Sequence, residues 1–322
     1  MWNLEYKNSK KKLNNFYKYL VLKLNKLPRW FKPNHPFLTV RSATKIFIYK
    51  LKRLFRKDTS FFMPQKSNVK IDIFMPSLEK DSKVLDVCLD HVRKYIKHPI
   101  GNIYIVAPNS AKNVKKIANK YGCILIDEEN VLPIRKNAIN YFHNGENRGG
   151  WVFKMLLNLY ADQTCKESNF LILDADTVFI RPTIFVYKGR PIFNESPLFH
   201  KPYFDTNQKL FKLKHPTSLS YITHYQLFQA DVLKKLRKDI EKYAGMPWYE
   251  AIIDSLDTNE GSTFADYEIY ADYYIHRLKK PAIINYWVVK DSGINGYNEF
   301  LSLEKKLSKK YGAVALHNYD RN

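Results

Sequence analysis

The sequence contains few cysteines, and they are far apart. Cys88, Cys123 and Cys165 are the three cysteines among 322 residues. Their spacing matches neither a disulfide framework nor a zinc cluster. This scarcity favours a reducing, cytoplasmic compartment.

Long apolar runs are lacking as well. No stretch of about 18 apolar residues occurs, so we predict no transmembrane helix. The opening residues, MWNLEYKNSKKK, are polar where a signal peptide requires an apolar segment. Any contact with the inner face of a membrane is therefore expected to be peripheral.

Positive charge is abundant and unevenly distributed. Residues 1–68 hold 17 of the 53 Lys and Arg residues against 2 of the 31 acidic residues. Over residues 1–66 the basic clusters alternate with aromatic and aliphatic residues, a pattern typical of a helix at an anionic membrane surface. A helical arm packed on the catalytic domain, with solvated lysines, would explain the pattern equally well, and nucleic acid is a weaker alternative. We predict a helical extension over 1–66 and a catalytic domain over 67–322.

Strands and helices alternate from residue 69 onwards. Apolar runs at 69–77, 102–108 and 123–127 read as strands, and the segments between them have helical spacing. This alternation predicts an α/β domain with a largely parallel sheet.

The segment FLILDADTVFIRP, residues 170–182, places two carboxylates directly after a short apolar run. Asp174 and Asp176 are thus expected at the carboxyl end of a buried strand, where open α/β sheets bind ligands. Two anions this close repel each other, and a divalent cation that carries a substrate phosphate would relieve the repulsion.

The later elements are less regular. A helix is predicted from Trp151, with Lys154 off its apolar stripe. We expect a loop-rich stretch from Pro182 to Leu219, then a strand over 221–228, a helix over 230–245, a helix from Thr263 and a strand over 282–289.

Four segments resemble, in sequence and in order, the GT-A class of nucleotide-sugar glycosyltransferases. They are RGGWVFK, LILDADTVFIRP, ITHYQLFQADVL and FADYEIY. The resemblance covers residues 69–320 and is nearest to a bacterial and viral group with a Gly-Trp helix before the Asp-x-Asp strand. The helix after Trp151 departs from that group because it lacks a Gln pair. The resemblance implies a GT-A fold, with a mostly parallel central sheet flanked by helices.

The resemblance also implies a metal site for Mn²⁺ or Mg²⁺. Asp176 would be the more direct ligand, with Asp174 nearer the ribose or reaching the metal through water. His317 would complete the site, with Asp320 as a weaker companion, although a lone histidine is more often an ordinary surface or core residue.

Two acidic residues compete for the role of general base. The resemblance favours Asp266, in the first turn of a helix, over Glu268. A capping box between Thr263 and Asp266 would explain Asp266 without a catalytic role. A retaining enzyme would need neither carboxylate as a base.

Further residues are expected around the nucleotide. Arg148 and Lys154 are candidates for diphosphate contact, with simple solvation as the alternative. Asp127 would accept a hydrogen bond from the nucleobase or the ribose, or cap the next helix. The resemblance implies that His224 contacts donor or acceptor, although a satisfied core histidine is the commoner case. The end of the first strand should border the nucleotide through Met75, Pro76 and Ser77.

The function predicted from these parts is transfer of a sugar from a nucleotide-sugar donor to a glycan or lipid-linked glycan, with no nucleic acid as partner. A metal-dependent nucleotidyltransferase is a rival, but it would need a Gly-rich loop after the first strand, and MPSLEKDSK has no glycine. A non-catalytic basic scaffold that binds nucleic acid is a second rival.

Overall fold

The computed structural model describes residues 66–196, 200–213, 219–286, 289–291, 294 and 297–316. The predicted extension, apart from Lys66, and both His317 and Asp320 lie outside these ranges. Within them, no helix is both long enough and apolar enough to cross a membrane.

Strands and helices alternate along the first half of the described chain, as the periodicity predicts. The strands are β1 (Ile71–Pro76), β2 (Ile100–Ala107), β3 (Ile124–Asp127), β4 (Phe142–His143), β5 (Glu146–Asn147), β6 (Asn169–Leu173), β7 (Thr177–Phe179), β8 (Val186–Tyr187), β9 (Arg190–Glu195), β10 (Tyr225–Gln229), β11 (Ile283–Tyr286), β12 (Val289–Asp291) and β13 (Ala313–Ala315). The α-helices are α1 (Ser82–Tyr95), α2 (Lys112–Lys120), α3 (Gly149–Asn158), α4 (Lys201–Phe211), α5 (Ala230–Ala244), α6 (Trp248–Asp254), α7 (Asp266–Asp272) and α8 (Tyr297–Leu307).

The central sheet has the strand order β10-β6-β1-β2-β3. Strands β6, β1, β2 and β3 run parallel, and β10 pairs antiparallel with β6. Phe74 of β1 is opposite Ile172 of β6, so these two strands end side by side. The predicted fold class is confirmed: the protein is α/β, with a mostly parallel central sheet flanked by helices.

Alternate residues of β1 enter two separate hydrophobic cores. Ile71, Ile73 and Met75 pack in the core that includes α1 and α2. Phe74 packs in the other core, with α3, α5 and α7. Because side chains of a strand alternate between its faces, a sheet covered on both sides requires this nearly continuous apolar run.

Three details differ from the sequence predictions. The stretch expected to be loop-rich contains α4, which begins with Pro202 in its first turn. Residues 282–289, predicted as one strand, contribute to β11 and β12, which belong to different sheets. Helix α6 was not predicted at all.

A small sheet of order β12-β13-β7 extends from the end of β6. Strand β13 pairs antiparallel with β7, with Ala315 opposite Thr177. The amide of Leu316 then donates to the carbonyl oxygen of Asp176 over 2.9 Å. The last described residue of the chain is therefore hydrogen-bonded to the backbone of the second aspartate of the Asp-x-Asp motif.

Candidate active site

Asp174 is the centre of a hydrogen-bonded cluster at the carboxyl end of β6. Lys154 of α3 donates to its Oδ1 over 2.5 Å, and the Tyr267 hydroxyl donates to the same oxygen over 3.0 Å. Nδ1 of His224 lies 3.4 Å from Oδ2. Three elements that are distant in sequence therefore meet at one carboxylate.

The charges in this cluster stabilise one another. Burial opposes ionisation of Asp174, but the Lys154 ammonium and the His224 ring outweigh it and hold the pKa of Asp174 well below its usual range. Burial likewise opposes protonation of Lys154, yet Asp174 and Asp266 raise the pKa of its ammonium group above the ordinary value. Asp174 and Lys154 thus form an ion pair at neutral pH, although the Lys154 side chain keeps 36% of its surface exposed.

Asp266 is buried in the first turn of α7, one residue before Tyr267. Nδ2 of Asn158, at the end of α3, donates to its Oδ2 over 2.6 Å. Burial raises the pKa of Asp266 to about 6, against the opposing effects of Lys154 and Asn158. Asp266 therefore changes its charge near neutral pH, whereas Asp174 does not.

The capping box proposed for Thr263 and Asp266 is wrong. The residue that caps α7 is Ala265, and it makes no side-chain capping bond. The hydroxyl of Thr263 lies 3.5 Å from that of Tyr141 instead. Asp266 thus needs another explanation for its place in the first turn.

Glu268 lies among different neighbours from Asp266. Its Oε2 accepts from the Ser220 hydroxyl and, over 3.0 Å, from the amide of Tyr221. Burial and the neighbouring Asp272 raise the pKa of Glu268 well above its ordinary value. Glu268 is fully buried and holds residues 220–221, which is a sufficient structural role, so Asp266 remains the candidate base of the two.

The first strand brings its end to the same edge of the sheet as Asp174. Met75, Pro76 and Ser77 are all buried there, and the Ser77 amide donates to Val106 over 2.8 Å. Oγ of Ser77 is buried and has no hydrogen-bond partner among the described residues. Buried hydroxyls are normally satisfied, so this one is suited to a ligand or an ordered water.

Two other predicted donor-site residues have local partners. Oδ1 of Asp127 accepts from the amide of Glu129 over 3.2 Å and caps the short turn after β3, and its other oxygen accepts from Asn109. Arg148 precedes α3, with its guanidinium 5.0 Å from the centre of the Trp151 ring. The buried Nε of Arg148 has no hydrogen-bond partner in the described part of the chain.

The described residues supply only part of a metal site. Among them, no three His, Cys, Asp or Glu side chains are grouped closely enough to hold an ion. Both oxygens of Asp174 already face donors, so Asp176 is the better placed carboxylate of the pair. A carboxylate and an imidazole suit Mn²⁺, and His317 directly follows the residue bonded to Asp176. The donor types therefore fit a metal held by Asp176 and His317.

Sequence analysis missed two members of the cluster, Tyr267 and Asn158. Asn158 follows Val152, Met155 and Leu156 along the buried face of α3 and is itself fully buried. A polar residue at such a position requires a partner. That periodicity was a usable signal for Asn158, whereas nothing in the spacing indicated that the hydroxyl of Tyr267 reaches Asp174.

A family of unknown function (DUF6492) matches residues 68–305. No curated protein matches the chain.

Several solved glycosyltransferase structures are similar to part of this chain. Mouse xyloside xylosyltransferase 1, in its apo form, has 11% identity over 77% of this chain and 98% of its own, with a TM-score of 0.42. The galactosyltransferase LgtC, in complex with donor and acceptor sugar analogs, has 15% identity over 77% of this chain and 88% of its own, with a TM-score of 0.43. Glucosyl-3-phosphoglycerate synthase from Mycobacterium tuberculosis, in complex with Mn²⁺, UDP and glucosyl-3-phosphoglycerate, has 11% identity over 75% of this chain and 78% of its own, with a TM-score of 0.37. Because each TM-score is below 0.5, these likenesses do not define the reaction of this chain.

Proposed function

We propose that this chain, which belongs to the DUF6492 family of unknown function, is a GT-A glycosyltransferase that moves a sugar from a nucleotide-sugar donor to a glycan or lipid-linked glycan. The observation that carries the proposal is the pair Asp174 and Asp266, two carboxyl groups whose environments push their pKa values in opposite directions. Such pairs mark acid and base assignments in active sites. Their place at the carboxyl edge of the sheet is where α/β proteins bind ligands.

Asp266 takes the role of general base. With a pKa of about 6, it is mostly ionised at pH 7 and still basic enough to accept a proton from an acceptor hydroxyl. Nδ2 of Asn158 donates to Oδ2 of Asp266 and so fixes the orientation of the carboxylate. As the hydroxyl oxygen bonds to the anomeric carbon of the sugar, the bond from that carbon to the diphosphate oxygen breaks. The nucleoside diphosphate leaves with the bonding electrons, and the proton of the hydroxyl passes to Asp266.

Lys154 serves the leaving group. Its ammonium is bound to Asp174 through one hydrogen, and the side chain keeps 36% of its surface exposed, so the remaining ammonium hydrogens are proposed to donate to a diphosphate oxygen. A fixed cation beside the departing diphosphate stabilises the charge that accumulates there. The buried Ser77 hydroxyl and the Arg148 guanidinium are the next donors for the nucleotide.

A divalent metal would be held by Asp176 and His317, and when bound it would supply Lewis-acid stabilisation of the diphosphate. In this assignment Asp174 orients Lys154 and reaches the metal or the ribose only indirectly. His224, beside Asp174, is assigned to the donor side of the site.

Hydrolysis of nucleotide sugars in the absence of acceptor tests this function. The protein is incubated with UDP- and GDP-sugars and Mn²⁺, and release of free sugar is followed over time. We expect slow hydrolysis of one donor, lost in Asp176→Asn and retained in Asp254→Asn, an exposed acid outside the site. Absence of hydrolysis with every donor, or equal hydrolysis by Asp176→Asn, contradicts the proposal.

A further inference from the structure

A cavity of about 580 Å³ opens beside the amino-terminal end of α3. Its lining combines two cations, two amides, one acid and a glycine: Arg135, Lys136, Asn137, Asn147, Glu129 and Gly150. Side chains that donate hydrogen bonds therefore outnumber acids in the lining, a balance suited to an anionic, oxygen-rich ligand.

The two cations of the lining, Lys136 and Arg135, differ in their contacts within the protein. Lys136 contacts the buried Glu128 over 3.0 Å, so part of its charge is used within the protein. Arg135 is exposed, and its planar guanidinium is able to bind a carboxylate or phosphate through two parallel hydrogen bonds. The first turn of α3 adds the positive end of a helix dipole at Gly150. Arg135 is therefore the principal cation available to a ligand.

The cavity adjoins the candidate active site along α3. Gly150 and Lys154 are four residues apart, so they lie on the same side of the helix, about 6 Å apart along its axis. Lys154 contacts Asp174, whereas Gly150 borders the cavity. The cavity and the candidate active site therefore border the same side of α3.

An exposed aromatic ring stands next to the cavity. Phe142 is opposite Asn147 in the β4–β5 hairpin, and residues opposite each other in a hairpin project from the same face. Asn147 lines the cavity, and 52% of Phe142 is exposed. An aromatic face beside amides and a guanidinium is a combination that binds the apolar face and the hydroxyls of a sugar ring.

We propose that this cavity is an acceptor subsite for an anionic glycan, one whose sugar carries a carboxylate or a phosphate. Arg135 binds the acid group, Asn137 and Asn147 bind hydroxyls, and Phe142 packs on the ring. The proposal rests on the proposed glycosyltransferase function and names the class of its acceptor.

Calorimetric binding of short sugars to the full-length protein, without a donor, tests the subsite. The probes are trigalacturonic acid, glucose 6-phosphate and the neutral trisaccharide maltotriose. We expect at least one charged probe to bind and maltotriose to bind far more weakly. The probe that binds more tightly identifies the acid group. Arg135→Gln should weaken that binding about tenfold, and Phe142→Ala should weaken it as well.

Arg190→Gln is the matched control, because Arg190 is exposed and does not line the cavity. Equal weakening by the two Arg→Gln changes would show that general charge attraction causes the binding, and would overturn the proposal. Displacement of the probe by UDP or GDP would assign the cavity to the donor and would also overturn it. The binding measurement contains no donor, so it tests the subsite independently of donor hydrolysis. Probe binding together with absent hydrolysis would contradict the proposed reaction and not the subsite.

Discussion

The hydroxyl of Tyr267 donates a hydrogen bond to Oδ1 of Asp174 over 3.0 Å, and thereby attaches the first turn of α7 to the end of β6. The residue before it, Asp266, is held by Asn158 of α3. One helical turn thus positions the candidate base relative to both Asp174 and the helix that carries Lys154.

Tyr267→Phe removes this attachment and keeps the ring. We expect turnover to fall at least about tenfold, because a hydrogen bond to a charged group contributes about 1.5–3 kcal/mol. Tyr274→Phe is the control, since its hydroxyl makes a long contact of 3.5 Å to Pro281 away from the cluster. Donor turnover and melting temperature are measured for both. Equal turnover by the two variants would show that the Tyr267 hydroxyl does not position the base.

Asp266 should determine the acid side of the pH profile. As the pH rises through about 6, Asp266 loses its proton and becomes able to act as a base, so kcat/KM should rise. Asp266→Asn should lower turnover by about 10²- to 10⁴-fold. A profile that stays flat between pH 5 and pH 7, or full turnover by Asp266→Asn, would exclude this role.

The same substitution should increase stability. The pKa of Asp266 is raised from 3.8 to about 6 on folding, so its stabilising effect is complete below pH 4 and is lost as the pH rises through 6. Asn carries no charge to bury. Asp266→Asn should therefore raise the free energy of unfolding at pH 8 by up to about 3 kcal/mol and leave it nearly unchanged below pH 4. Denaturant unfolding at both pH values checks this difference, and a variant less stable at pH 8 would contradict it.

The Lys154–Asp174 pair is suited to a double-mutant cycle. Lys154→Met leaves a largely buried carboxylate without its cation, and Asp174→Asn in the same chain relieves that cost. Because Lys154 is about one-third exposed, solvent screening reduces the expected coupling energy to about 1–3 kcal/mol. Denaturant unfolding of the two single variants and the double variant measures it. Additive effects would show that the two charges do not stabilise each other.

The core elements of the sheet were predictable because their sequences are locally consistent. Strands β1, β2 and β3 are short apolar runs, and the apolar residues of α1 and α2 between them recur at helical spacing. The spacing of apolar residues and the length of each segment therefore identify each element. Helix α4 was missed for a physical reason. Its buried face includes Thr206 and Asn207, which bond to the carbonyl of Thr263 and to Asp272, so its apolar stripe of Phe204, Leu210 and Phe211 is interrupted.

The site was predictable only in part. A strand followed by two carboxylates indicated Asp174 and Asp176, the resemblance added Asp266, and the need for a cation near the diphosphate added Lys154. Their contacts depend on long-range packing of α3 and α7 against β6, which no local pattern encodes. The ion pair between Lys154 and Asp174, in particular, was not predicted, because the resemblance placed Asp174 near the ribose or within reach of the metal through water.

The basic extension, residues 1–66, lies outside the described residues except for Lys66, and its membrane role stays a prediction. Deletion of residues 1–66 should weaken binding to liposomes that contain anionic lipid and leave donor hydrolysis intact, because the family match begins at residue 68. Liposome sedimentation of the full-length and shortened chains measures the difference. Unchanged sedimentation would assign the basic residues to another role.

Nucleotide binding is the property that the proposed donor site must have. Thermal unfolding is measured with UDP, GDP, ADP and CMP, each with and without Mn²⁺, because a ligand of the native state raises the melting temperature. We expect that one nucleotide raises the melting temperature, that Mn²⁺ increases the shift, and that Asp176→Asn but not Asp254→Asn abolishes the increase. A melting temperature unaffected by every nucleotide, or an Mn²⁺ response unchanged in Asp176→Asn, would contradict this expectation.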